Sequence, residues 1–238
     1  YTRKKYNSHM DIIQQLRKET NKELPLTDRI YEELLRDILT GKLARDSWLT
    51  ETKVCSMYGA SRTPVREAFR RLEMDGLLEY IPKKGEYVRG FSYDELIDML
   101  NIRADLEVRA VSWSIERITD DEMEQFDDIF RYMEFYTKKN DIHMMMYANS
   151  AFHRHIYKTS HDRMLDKTLT TYFNYCKYSC PPNYFAPKFL DKTLEERRRI
   201  YSAYLKKDVT SGARAMKLHM SSTIKRAIAN INLNIYEK

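Results

Sequence analysis

The chain is poor in cysteine, with three in 238 residues, and an odd count gives no disulfide framework. Cys176 and Cys180 are four apart on a predicted helix, but no second pair at zinc-site spacing stands nearby, so they read as structural thiols. Six glycines and six prolines leave few obligatory breaks, and with 42% hydrophobic residues the composition is globular and helix-leaning, which excludes a disordered chain. No apolar run approaches the roughly 18 residues of a membrane span, and no leader of signal-peptide type is apparent, so a reduced, cytoplasmic setting is expected. Charge of one sign is also scarce: 41 Lys and Arg against 35 Asp and Glu give a net +6, a modest lean toward an anionic partner. Paired carboxylates at catalytic spacing and a nucleophile beside an evident base are both missing, which argues against an enzyme.

What is present centres on residues 61–72. Ser61 stands where it can cap a helix and Pro64 falls just inside the start, where its missing donor does no harm. Val65, Ala68, Phe69 and Leu72 follow the helical i, i+3, i+4, i+7 rule and give the helix a core face. Arg62, Arg66 and Arg70 recur every fourth residue and project together from another side. Such a fork suits a DNA major groove, because a guanidinium can be bidentate to guanine and can also pair with phosphate. Taken alone, the same spacing also describes a solvated basic face.

The flanks choose between the two. An amphipathic helix bearing Ile30, Tyr31, Leu34, Leu35 and Ile38 is expected to start at Thr27 as its cap and to end at Gly41. After a connector containing Leu43 and Trp48–Leu49, Thr50 caps a second helix over 51–57 with Val54, Met57 and Tyr58 inward, and Gly59 turns the chain into the arginine helix. Two helices joined by a tight glycine turn, the second with cations at its start, predict a helix-turn-helix. An alternating segment over 77–81, a polar turn containing Lys83, Lys84 and Gly85, and a return over 86–89 predict a hairpin, which makes the unit winged. Residues 27–91 are assigned to this unit, residues 1–26 to an N-terminal arm without assigned chemistry, and residues 92–238 to a helical unit.

The run Ser61-Arg62-Thr63-Pro64-Val65-Arg66-Glu67-Ala68, followed by Arg71-Leu72-Glu73, Asp75-Gly76-Leu77 and Lys84-Gly85, resembles the DNA-binding domain of the GntR family of bacterial transcription regulators. The resemblance implies that Arg62 and Arg66 contact bases and that Ser61, Thr63 and Arg70 position the phosphate backbone. The tip Lys83–Gly85, with Lys84 at its centre, would reach the neighbouring groove.

Beyond residue 92, strand-like alternation is absent. Capping boxes at Ser92/Glu95 and Thr119/Glu122 and the apolar spacing predict helices over 93–118, 120–138, 140–159, 162–179, 191–206 and 209–234, with Pro181, Pro182 and Pro187 marking a connector. Helices of this length with short links pack as an antiparallel bundle. Through Ile102-Arg103-x-x-Leu106-Glu107, Asn149-x-x-Phe152-His153 and the helix carrying His219, this half resembles the effector-binding (FCD) domain of the FadR-like GntR subfamily. Many members hold a divalent metal through an aspartate, a histidine four residues on and two further histidines, and the metal grips a carboxylate effector. Here His153 and His219 fill two ligand positions and are the only metal candidates, while Asn149 stands at the aspartate and Arg197 at the other histidine. A guanidinium cannot ligate and repels a metal ion, so no metal is assigned and the site reads as degenerate. An alternative role for Arg197 is to supply that positive charge directly to an anionic effector, with Arg103 as a second clamp; the plainer reading is a pairing with Glu195, Glu196 or Glu107.

The sequence therefore predicts a mainly α protein, a winged helix-turn-helix followed by an all-α antiparallel bundle. It predicts a ligand-responsive transcription regulator, a repressor by the habit of most relatives. The expected partners are a near-palindromic double-stranded operator, a small carboxylate-like effector and a second copy of the chain. An architectural DNA-binding protein whose bundle only dimerises is the alternative.

Overall fold

The computed structural model describes residues 24–179 and 190–230, which form two compact units divided near residue 98. Residues 1–23 of the N-terminal arm, Cys180, the proline connector and the predicted end of the last helix lie outside these residues.

In the smaller unit, α1 (Leu26–Leu39) lays Ile30, Leu34, Leu35 and Ile38 on α3 (Arg62–Met74), which answers with Val65, Ala68, Phe69 and Leu72, all buried. Between them α2 (Glu51–Tyr58) buries Val54 and ends on Gly59 in the left-handed conformation that the tight turn requires. Thr50 caps α2 as expected, its hydroxyl accepting from the Lys53 N–H at 3.3 Å. Three local expectations fail. The residue preceding α1 is Pro25, whose fixed φ suits a helix start, so Thr27 lies within the first turn. Ser61 does hold the N-cap position of α3, with extended backbone, but its side chain makes no capping bond. Met57 faces solvent rather than the core, because α2 is short and only Val54 is fully buried, while half-buried Tyr58 donates its hydroxyl to buried Asp37.

The sheet holds a strand that sequence periodicity does not register. β1 (Trp48–Leu49) joins β2 (Leu78–Ile81) and β3 (Gly85–Val88) in the order β1-β3-β2, all antiparallel, with Trp48 opposite Tyr87 and Leu49 opposite Glu86. The turn between β2 and β3 places both Lys83 and Gly85 at positive φ. Gly85 is obligatory: a Cβ there would come within 2.6 Å of the Leu49 carbonyl oxygen.

The larger unit contains α4 (Tyr93–Arg117) from Met99 onward, α5 (Asp120–Lys138), α6 (Ile142–Thr159), α7 (Arg163–Ser179), α8 (Leu190–Leu205) and α9 (Val209–Asn230). Both predicted capping boxes form, at Ser92/Glu95 and Thr119/Glu122. α5 packs on α6 and α8, α6 on α7, and α8 on α9. The core joining them is rich in rings, with Phe126 against Phe152 at 4.9 Å and Phe130 stacked on Tyr201 at 4.4 Å between centroids.

Candidate functional site

Arg62, Thr63, Arg66 and Arg70 are all exposed on α3, opposite its buried face, and Ser61 is exposed beside them. Amphipathicity places them there: with Val65, Ala68, Phe69 and Leu72 committed to the core, the arginines have only the outer surface. The fork is not three free cations, however. Arg66 Nε donates to Glu51 Oε1 at 2.6 Å, which ties the recognition helix to the start of α2. The hydrogen bond from Arg66 lowers the Glu51 carboxyl below its ordinary range. Lys83 and Lys84 are exposed on the wing, and the Lys84 ammonium lies 5.5 Å from the centre of the Trp48 ring. Inside the wing, β3 turns Glu86 into the core, 8% exposed, with one carboxylate oxygen lacking a hydrogen-bond partner among the described residues. Burial, with Glu73 and then Glu51 nearby, pushes its carboxyl up to about 7.

In the helical unit, the structure brings all five residues predicted for effector binding into buried positions: Arg103, Asn149, His153, Arg197 and His219. They come from four helices and meet as three linked clusters. Arg103 donates to Glu107 Oε1 through Nε at 3.2 Å and Nη2 at 2.9 Å, and its guanidinium lies 4.9 Å from the Phe173 ring centre. His153 donates from Nδ1 to Glu107 Oε2 at 3.1 Å, and the Tyr157 hydroxyl donates to Glu107 Oε1. Arg197 donates from Nε to Asn149 Oδ1 at 2.8 Å, again to that oxygen from Nη2, and from Nη1 to the Thr193 carbonyl at 2.9 Å. His219 donates from Nδ1 to Glu196 Oε2 at 2.9 Å, and Arg226 grips both Glu196 oxygens at 2.9 and 3.0 Å. The two histidine rings lie 5.5 Å apart.

The electrostatics keep these histidines neutral. Burial pushes His219 down to about 3, with Arg197 adding to the effect, and burial lowers His153 against the pull of Glu107. Burial would raise the Glu107 carboxyl, but His153 and Arg103 beside it, with hydrogen bonds from His153 and Tyr157, hold it well below the usual carboxylate range. Each histidine thus carries its proton on Nδ1, toward a carboxylate, and presents Nε2 as an acceptor.

Of the plainer partners considered for Arg197, the hydrogen bonds go instead to Asn149 and the Thr193 carbonyl. Sequence reasoning missed the weight of Glu107, Tyr157, Glu196 and Arg226. The spacing of Arg103 to Glu107 and of His153 to Tyr157, four apart in each case, was the available signal. His155 faces away, donating from Nε2 to the Glu122 carbonyl at 2.8 Å and stacking on Phe126, and His161 reaches Glu122 at the surface.

The divalent metal implied by the FCD resemblance does not fit these residues. The Asn149 oxygen at the aspartate position already accepts from two nitrogens of Arg197, whose own position is the one a third histidine would take. Among the described residues, no group of three or more His, Cys, Asp or Glu side chains is placed to hold a metal ion. Also among the described residues, no helix is long and apolar enough to cross a membrane.

Comparison with known proteins agrees with both halves of this picture. The family model for bacterial regulatory proteins of the gntR family matches residues 26–88, and the FCD domain model matches residues 98–222. The chain is 27% identical over 206 residues to the uncharacterized HTH-type transcriptional regulator YdhC of Bacillus subtilis, covering 84% of this chain and 90% of that protein. It is 25% identical over 203 residues to the HTH-type transcriptional repressor RspR of Escherichia coli, covering 84% and 88%. The solved structure of E. coli McbR/YncC superposes with a TM-score of 0.69 over 87% of this chain and 98% of that one, at 22% identity, a likeness of fold. With the FCD model spanning more than half of its length behind a matched gntR segment, the chain belongs to the GntR family of DNA-binding transcription regulators and carries a C-terminal FCD effector domain.

Proposed function

We propose that this regulator binds a near-palindromic operator as a homodimer and that a small anionic effector in the buried cluster changes its operator affinity. The observation that carries the DNA reading is the segregation on α3: one face wholly in the core, the other bearing Ser61, Arg62, Thr63, Arg66 and Arg70 in solvent. One winged head spans one half-site, so a palindrome calls for two copies. In this reading Arg62 and Arg66 contact bases, Ser61, Thr63 and Arg70 position the backbone, and Lys83 and Lys84 meet phosphates. Gly85 contributes through its conformation, which sets the tip against β1. Arg103, Asn149, His153, Arg197 and His219 form the effector site, a concentration of buried cations and neutral acceptors suited to a carboxylate. Repression relieved by effector is the proposed sign, supported by the relatives named as repressors. Coupling of this type is typically about 1–3 kcal/mol, or about 5–150-fold in affinity.

Titrations on an operator and on unrelated duplex at several salt concentrations test the division of labour. Arg62→Ala should lose about 1–3 kcal/mol at the operator and relax base preference. Lys83→Ala and Lys84→Ala should weaken both duplexes alike and flatten the salt dependence. Indistinguishable behaviour of the two classes would remove the distinction between base readers and phosphate contacts.

A further inference from the structure

We infer that Glu51 is a positioning residue for DNA reading: its carboxylate orients the Arg66 guanidinium so that the outer edge of that group is set to meet a guanine. This deepens the reading above and rests on its assignment of Arg66 to a base contact. The bond between the two side chains uses the guanidinium nitrogen nearest the backbone. Arg66 Nε donates to Glu51 Oε1 at 2.6 Å, a short charge-assisted contact. Both Nη groups have no hydrogen-bond partner among the described residues, and the arginine side chain is 57% exposed. Those two nitrogens are the pair that can donate in parallel to guanine O6 and N7. The carboxylate thus occupies one edge and leaves the reading edge open.

The acceptor is itself held in place. Glu51 is the first residue of α2, next to the Thr50 cap, and its negative charge lies at the positive end of that helix. Leu49, two residues earlier, is fully buried and sits opposite Glu86 in the sheet. Glu51 therefore projects from backbone fixed by both β1 and α2, and it meets Arg66 on the second turn of α3. On the same face, Arg62 and Arg70 make no ion pair among the described residues. The fork is unequal: one arginine is oriented before DNA arrives, and two are free to rotate. An exposed ion pair contributes little to stability, so the consequence of this one lies in where the guanidinium points. Holding a rotamer-rich side chain in one orientation removes part of the ordering cost of a base contact. The same carboxylate opposes a phosphate in its vicinity, which disfavours Arg66 as a plain backbone clamp. Orientation strengthens binding where a guanine is met, and charge weakens it where only backbone is met. Both raise the ratio between operator and unrelated DNA.

Duplexes selected by the full wild-type chain from a randomised pool provide the probe, followed by titration of the selected site and its single-pair variants. Arg66→Ala should flatten base preference at one pair in each half-site, a guanine contact worth about 5–150-fold in discrimination. Glu51→Ala should lower the preference at that same pair by about 2–10-fold and raise affinity for unrelated duplex. Glu51→Gln keeps an acceptor for Nε and loses only the charge. It should retain most of the base preference while still binding unrelated duplex more tightly. Both Glu51 variants should melt close to wild type. In an Arg66→Ala background, Glu51→Ala should change the base preference no further. If Arg66→Ala flattens one pair and Glu51→Ala leaves that pair untouched, the positioning role is overturned and the base contact stands. If Glu51→Ala alters preference equally with and without Arg66, Glu51 touches a base itself, and the inference is again overturned. An Arg66→Ala chain with unchanged preference at every pair removes the base contact and the inference together.

Discussion

Replacing Glu86 by glutamine should stabilise the winged unit at pH 8 and remove most of its dependence on pH. Glu86 points from β3 into the core, with Glu73 of α3 beside it and Glu51 nearby, and its carboxyl is pushed up from 4.5 to about 7. That difference corresponds to about 3 kcal/mol of preference for the protonated form in the folded state. Below pH 4.5 folded and unfolded chains both hold the proton, and the stability associated with this group is fully present. From 4.5 to 7 the unfolded chain ionises while the folded one does not, so stability falls, and above 7 the loss is complete. Rearrangement of the neighbouring Glu73, whose charge adds to the shift, recovers part of this, leaving about 1–3 kcal/mol to be gained by glutamine at pH 8. The chain has two tryptophans, and Trp48 lies on β1 against Tyr87 at 5.2 Å, so in a Trp113→Phe background its fluorescence reports this unit. Urea unfolding of that protein at pH 5, 6, 7 and 8 should show a falling midpoint, and the Glu86→Gln version a nearly flat one. A parent midpoint that stays constant over this range, or an equal fall in both proteins, refutes the assignment.

Glu107→Gln should destabilise the helical unit by about 3–5 kcal/mol in chemical denaturation, because it strips the charge partner from buried Arg103 and, with the amide oxygen kept for Tyr157, turns an NH2 donor toward the Nδ1–H of His153. Gly85→Ala should cost about 1–3 kcal/mol from backbone strain at φ 101 before its clash with the Leu49 carbonyl is counted, and Trp48 fluorescence would again register it. Glu51→Gln releases Arg66 from an exposed ion pair; it should leave the melting midpoint unchanged and raise affinity for unrelated duplex, and an unaltered affinity would mean that Glu51 lies away from the DNA.

The helical framework was readable from sequence because its signals are local. Ser92/Glu95 and Thr119/Glu122 fix helix starts within one turn, and the four-residue recurrence of Arg62, Arg66 and Arg70 against the apolar residues of α3 fixes which side faces out. β1 escaped because two residues carry no periodicity, and Trp48–Leu49 becomes a strand only through pairing with residues nearly forty positions later. The five effector candidates come from the family resemblance, and the structure places all of them in buried positions. Four-residue spacing hints at the Arg103–Glu107 pair, whereas the bonds of Glu107 to Tyr157 and of Glu196 to Arg226 arise from helix packing. Arg66 shows the limit from the other direction: its place on the helix follows from the period, and its engagement with Glu51 does not.

The third strand alters what the wing is mechanically. A two-stranded hairpin alone is marginal in water, and ordering its backbone on contact with a duplex would cost about 1–2 kcal/mol per residue. With Trp48 and Leu49 hydrogen-bonded along β3, and Gly85 seated against the Leu49 carbonyl, that ordering is completed when the chain folds. Because Leu49 lies just ahead of the Thr50 cap of α2, the same two residues anchor the wing and the first helix of the turn motif. In the proposed reading, the wing lysines and the α3 arginines are therefore presented from one preorganised template, and a substitution that loosens β1 should weaken binding through both.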